Sequence, residues 1–188
     1  MKILINGASG FVGQALTERL HKAGHTIIPL SRDLTNFESA DAVINLAGEP
    51  IANERWSSEK KKRILESLVE GSKRLIHAIE GQPCVKPSVI ISASAFGYYG
   101  DRGDEILDET SVAGTGFLSE VCQKWEMETV GQRLASTRQV VMRFGMVLGH
   151  GGALEKLLPI FKTGLGGRIG NGKQWMSWIH INDLIAMI

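Results

Sequence analysis

Residues Asn6 to Gly24 read NGASGFVGQALTERLHKAG. The apolar run Met1 to Asn6 precedes the stretch and reads as a short strand. Val12, Ala15, Leu16, Leu20 and Ala23 then recur at helical spacing, and Gly24 supplies a stop. Gly7, Gly10 and Gly13 stand three apart where the strand must turn sharply into the helix. The first glycine permits the tight turn. The second lets backbone approach a bulky anion with no Cβ in the way, and the third lets helix and strand lie close. A helix start also presents unbonded N–H groups and the positive end of its dipole. Together these predict a cradle for the diphosphate of a dinucleotide.

Working outward, HTIIPLS (25–31), DAVINLAG (41–48), SVIISAS (88–94) and QVVMRF (139–144) read as further short apolar strands. Helices are expected at about 57–80 and about 115–135. Ile64, Leu65, Leu68, Val69, Leu75, Ile76 and Ile79 form the apolar face of the first, and Phe117, Leu118, Val121, Cys122 and Trp125 that of the second. A helix containing Pro159 and a glycine-rich loop at 164–172 follow. Short strands alternating with amphipathic helices predict an α/β fold: a doubly wound parallel sheet of the Rossmann type. Residues 1–147 would form the dinucleotide-binding domain, and 148–188 the start of a small, incomplete C-terminal substrate lobe interleaved with it. Two places are irregular. About ten residues separate the second strand from DAVINLAG, where a parallel crossover normally needs a dozen or more plus a helix, so the chain is abbreviated there or residues are absent. The chain also stops at Ile188 inside a starting helix, with Asn182 as a candidate N-cap, which reads as truncation.

Bulk properties narrow the function classes. The 188 residues carry a net charge of +1, with 43% hydrophobic and 22% charged residues, so nothing marks a nucleic-acid or membrane-surface binder. No apolar run approaches the ~18 residues of a membrane span, and the N-terminus lacks a cleavage pattern. Two distant cysteines, Cys84 and Cys122, argue for a reducing compartment, hence the cytoplasm, and against a disulfide or zinc framework. The five histidines show no ligand spacing, and no metal is expected.

The end of the second strand reads PLSRD. A carboxylate at its tip would bind the adenosine ribose hydroxyls and select NAD. Ser31 and Arg32 stand there instead, and a guanidinium forks onto a 2′-phosphate, so NADP is favoured over NAD. Asp33 follows at once and would reverse the choice if the register slipped by one.

NGASGFVG, DAVINLAG and ISASAFGYYGD together resemble the short-chain dehydrogenase/reductase superfamily, in its extended NAD-dependent epimerase/dehydratase branch. NLAGEPI, RW at 55–56, FLSEVCQKWE, GMVLGHGGALEKLLP and GLGGRIGNGKQWMSWIHINDL are similar to one atypical subgroup of epimerase-family proteins, whose substrate the resemblance does not specify. It implies NADP(H) in an extended pose. Gly7, Ser9, Gly10, Phe11, Val12 and Gly13 would line the diphosphate, and Ser31 and Arg32 the 2′-phosphate. Leu46, Ala47 and Gly48 would pack on adenine and ribose, with Arg63 and Leu68 reaching the same region and Val147 near the nicotinamide. Leu46 and Leu68 fit equally well as core residues. Extended members often pair through two long helices, which makes a homodimer through 57–80 and 115–135 an expectation by analogy.

The superfamily implies a serine, and a tyrosine four residues before a lysine, for proton transfer alongside hydride transfer. Ser92 and Ser94 lie on the strand that carries the serine. On the helix, taking Glu126 as the register mark puts Leu118 and Cys122 where tyrosine and lysine belong, and neither can do that work. Sliding the frame gives Ser119 with Gln123, or Glu120 with Lys124. Tyr98 and Tyr99 are the remaining candidate acids, set against a packing role. In the C-terminal motif, Trp175 and Trp178 offer flat apolar surface and Lys173 an anion contact or a solvated charge. His180 reads as a hydrogen-bonded structural residue, and Asp183 as a brace for a helix start. The expected function is an NADP(H)-dependent oxidoreductase or epimerase of a small hydroxylated or carbonyl compound. A non-catalytic NADP(H)-binding sensor is the alternative.

Overall fold

Alternate residues of the central strands point into two different helix layers, and this split builds the architecture. The computed structural model describes residues 1–49, 51, 54, 56–81, 86–131, 134–168 and 170–188, so Cys84 and the Arg55 of the RW pair lie outside the described residues. Strands β1 (Lys2–Asn6), β2 (Thr26–Pro29), β3 (Ala42–Asn45), β4 (Val89–Ala95) and β5 (Arg138–Phe144) form one parallel sheet in the order β2-β1-β3-β4-β5. Ile3, Ile5, Ala42 and Ile44 project to one side, where Leu16 of α1 (Phe11–Lys22) and Ile185 of α5 (Ile181–Met187) pack. Leu4, Val43 and Ile90 project to the other, against Leu75, Ile76 and Ile79 of α2 (Ser58–Glu80). Helix α3 (Phe117–Val130) lies beside α2 through Ile64, Leu68, Val121 and Trp125. Burying strands on both faces is what near-continuous apolar runs such as KILIN and AVIN require.

The connection from β2 to β3 is the main departure from the expected pattern. Residues 30–41 cross over β1 with neither strand nor helix. Leu30, Leu34, Phe37 and Ala40 from this segment pack on the α2-side core, standing in for a crossover helix. The turn is held by Asn36, whose Oδ1 accepts from Ser31 N and Oγ (both 2.9 Å) and whose Nδ2 donates to Pro29 O (2.8 Å). The connection at this edge of the sheet is therefore short and is closed by side-chain packing.

Beyond β5, β6 (Met146–Leu148) pairs in parallel with β7 (Trp178–His180), and α4 (Gly152–Lys162) contains Pro159 and buries none of its residues. The N-cap of α5 is His180, whose Nδ1 accepts from Asn182 N (3.3 Å), so Asn182 is inside the helix instead of capping it. Asp183 falls in the first turn of α5. Among the described residues no helix is long and apolar enough to cross a membrane.

A buried polar chain ties the layers together. Asn6 Nδ2 donates to Asn45 Oδ1 (2.9 Å), Asn45 Nδ2 donates to Ser72 Oγ (3.0 Å), and Trp125 Nε1 donates to the same oxygen (2.8 Å). Asn45 and Ser72 are each 2% exposed. Ser72→Ala leaves two buried donors unpaired and is expected to cost about 2–4 kcal/mol, read by urea denaturation. A loss well under 1 kcal/mol would show that the chain contributes little.

Candidate functional site

The sheet order reverses between β1 and β3, so the loops leaving those two strands splay apart and open a crevice at their C-terminal ends. Gly7 leaves β1 with φ +88°, and a Cβ there would lie 2.8 Å from Leu46 C and Ala47 N. A Cβ on Gly13 would run into Gly7 O. The two glycines are thus set by direct backbone packing of the turn on itself and on the loop after β3. Gly10 is the N-cap of α1 and provides no side-chain cap, and the first turn carries no acidic residue. The helix ladder begins with Gln14 N donating to Gly10 O (2.8 Å), so the N–H groups of Phe11, Val12 and Gly13 point into the crevice with no intrahelical acceptor. Ser9 and Gly10 are exposed beside them. Cradle geometry and unbonded donors fit a diphosphate.

At the same end of the sheet, Ser31 and exposed Arg32 follow β2, and Leu46, Ala47 and Gly48 follow β3. Glu49 N donates to Ser67 Oγ (3.0 Å), and a Cβ on Gly48 would strike Leu68, which clamps this loop on α2. Leu68 is 7% exposed in the α2–α3 core, and partly buried Leu46 packs on the α1-side core. Arg63 is bonded to Glu54 (2.7 Å) and lies 3.8 Å from Glu49. The Lys60 ammonium holds the Glu49 carboxyl below the usual range, with Arg63 and Arg32 adding to the effect. That pairing stabilises the fold above the ordinary glutamate range and is lost as pH falls through the lowered value. Sequence reading missed Asn36, Glu49 and Lys60, because each acts through a contact that only the folded loops bring together.

At the other end, both candidate serines are buried. Ser92 is 1% exposed, its Oγ has no hydrogen-bond partner, and it lies on the same face of the sheet as Asn45, toward α2. Ser94 is 3% exposed, and its Oγ donates to Glu126 Oε1 (2.6 Å). Leu118 and Cys122 abut Gly97, and burial pushes the Cys122 thiol up, so no cation stands where the family's lysine would be. The shifted frames fail as well. Ser119 is locked onto Tyr98 O and Gly114 O, while Gln123, Glu120 and Lys124 are exposed.

What the structure assembles instead is centred on Arg143 of β5. Its Nε and Nη2 donate to Glu126 Oε1 (2.9 Å) and Oε2 (2.8 Å), and its Nη1 donates to the Tyr99 hydroxyl (2.8 Å). The guanidinium carbon is 3.5 Å from the Tyr98 ring centroid, within cation–π range. Tyr98 and Tyr99 sit on a 3₁₀ turn, Phe96–Tyr99, that directly continues β4. Tyr99 and Arg143 border a cleft of about 1320 Å³ that also meets Trp175, Trp178 and Lys173. Trp175 Nε1 donates to Asp104 Oδ1 (2.6 Å), joining the two loops across it. Val147 lies in β6, opposite Ile179.

Residues 3–188 match the model of the NAD dependent epimerase/dehydratase family, and the chain belongs to that family. It is 39% identical over 206 residues to the bovine "Epimerase family protein SDR39U1", covering 100% of this chain and 69% of that protein. It is 36% identical over 214 residues to the Arabidopsis thaliana "Epimerase family protein SDR39U1 homolog, chloroplastic", covering 100% of this chain and 61% of that one. The crystal structure of human SDR39U1 (isoform 2) with NADPH superposes with a TM-score of 0.91 at 37% identity, over 98% of this chain and 68% of that one. The chain thus spans roughly two thirds of the length of these relatives.

The Glu126–Arg143 pair is largely buried, with side chains 11% and 20% exposed. Glu126→Ala would strand the guanidinium and free Ser94, so a loss of about 3 kcal/mol or more is expected, measured by chemical denaturation. An unchanged midpoint would contradict this role.

Proposed function

We propose that the protein is an NADP(H)-dependent oxidoreductase or epimerase acting on a small hydroxylated or carbonyl compound. Gly7, Ser9, Gly10, Phe11, Val12 and Gly13 would hold the diphosphate. Ser31 and Arg32 would take the 2′-phosphate, and Leu46, Ala47, Gly48 and Leu68 would wall the adenosine, with Arg63 beside them and Val147 toward the nicotinamide. Family membership and the NADPH in the human relative's crystal structure support this reading. When bound, NADP(H) supplies hydride donation or acceptance at its nicotinamide ring.

The residues of the chain then divide the remaining work. The Tyr99 hydroxyl accepts from Arg143, which leaves its own proton available for donation into the cleft. Arg143 is fixed by both oxygens of Glu126 and by the Tyr98 ring, so Tyr99 is held in one orientation. Ser94 supports this arrangement as a donor to Glu126. The observation that carries the catalytic reading is this hydroxyl, held by Arg143, on a residue that lines the cleft. A second reading, an NADP(H)-binding sensor without turnover, is favoured by the apolar packing of Leu118 and Cys122.

Two measurements separate these readings and test the coenzyme assignment. NADPH oxidation across a panel of aldehydes and ketones should exceed background, and Tyr99→Phe should lower turnover about 100-fold with coenzyme affinity unchanged. Coenzyme binding without turnover on any compound would leave the sensor. Arg32→Ala should weaken NADPH about tenfold more than NADH in fluorescence titrations, and equal weakening would remove Arg32 from the 2′-phosphate.

A further inference from the structure

Lys60 is 1% exposed, in the opening turn of α2. That is an adverse place for a cation: the helix N-terminus is positive, and burying an ammonium is costly. An apolar residue of similar length would serve packing as well or better, so packing does not account for the charge. Among the described residues its Nζ meets one carboxylate oxygen, Glu49 Oε1, at 2.7 Å. Glu49 follows Leu46, Ala47 and Gly48, the loop whose backbone abuts Gly7, and its backbone is pinned to Ser67. Its side chain is 31% exposed, so the carboxylate stands at the surface of the crevice while its counter-ion lies beneath. Arg63 cannot substitute as that counter-ion, since its closer bond is to Glu54. Arg32 follows β2 and Glu49 follows β3, the two strands that flank β1, so both stand at the same end of the sheet, and the Arg32 charge adds to the lowering of the Glu49 carboxyl.

We propose that Lys60 is a specificity-determining residue, whose buried ammonium neutralises Glu49 and so leaves Arg32 free to receive the 2′-phosphate of NADP(H). A bare carboxylate at this end of the crevice would draw the guanidinium to itself, repel a phosphate dianion and suit a ribose with free hydroxyls. The Lys60–Glu49 pair turns that carboxylate into a near-neutral wall. Lys60 is a positioning residue here, because it acts through Glu49 and Arg32 and does not touch the coenzyme. The proposal rests on the NADP(H) reading above.

The test is the ratio of NADPH to NADH dissociation constants, from fluorescence titration of the wild type, K60M, E49Q and K60M/E49Q, with a thermal melt of each. Wild type is read first. If it shows no preference for NADPH, the coenzyme reading itself fails and this proposal falls with it. Given a preference, K60M should lower it about tenfold, chiefly by weakening NADPH, and the double variant should restore it to within about threefold of wild type. A K60M ratio that is unchanged, or a double variant as impaired as K60M, overturns the proposal. Should K60M fail to fold, E49Q decides alone. Removing the carboxylate should hold or raise the NADPH preference, and a fall overturns the proposal.

Discussion

The structure depends on a backbone-to-backbone contact in which no side chain fits. Gly7 turns out of β1 where a Cβ would meet the carbonyl carbon of Leu46 and the nitrogen of Ala47, and a Cβ on Gly13 would meet the carbonyl oxygen of Gly7. This contact brings the loops after β1 and β3 together at the point where the sheet changes winding direction. It also aims the start of α1 into the gap between them. The polar chain from Asn6 through Asn45 and Ser72 to Trp125 then carries the same alignment into α2 and α3. A diphosphate cradle and a second site at the ends of β4 and β5 are therefore built on one rigid reference, as preorganised binding requires.

The helix that should bear the tyrosine and lysine has been given over to packing. Leu118 and Cys122 face Gly97, and Ser119 ties the helix start to the loop before it. The charged machinery lies farther along the same helix, where Glu126 of α3 and Arg143 of β5 form a two-pronged ion pair. A buried pair of this kind adds little net stability, yet it fixes orientation strongly because losing either partner is so costly. It orients the two tyrosines on the turn after β4 through a hydrogen bond to one ring and stacking on the other. Orientation, more than stability, is what this cluster contributes.

Much of the fold could be read from the chain because it is encoded locally. Strand runs such as KILIN, the helical spacing from Val12 to Ala23, and the glycine spacing each reflect interactions within a few residues. The sheet and α2 follow those patterns closely, as does the missing tyrosine–lysine pair on α3. Features set by distant partners were not legible in the same way. Nothing near Ser92 in sequence reveals that it lies on the α2 face of the sheet, and Lys60 looks like one member of the solvated run KKKR until folding buries it beneath Glu49. The short β2–β3 connection was recognised as irregular, but its solution came from three-dimensional packing: Leu30, Leu34 and Phe37 cover the core directly.

The account stands or falls on where a nicotinamide dinucleotide sits. A crystal structure of the protein soaked or grown with NADPH measures this most directly. The diphosphate is expected against the N–H groups of residues 11–13 with the 2′-phosphate on Arg32. Density for the coenzyme anywhere else, or a first turn of α1 sealed by neighbouring side chains at saturating NADPH, would contradict it.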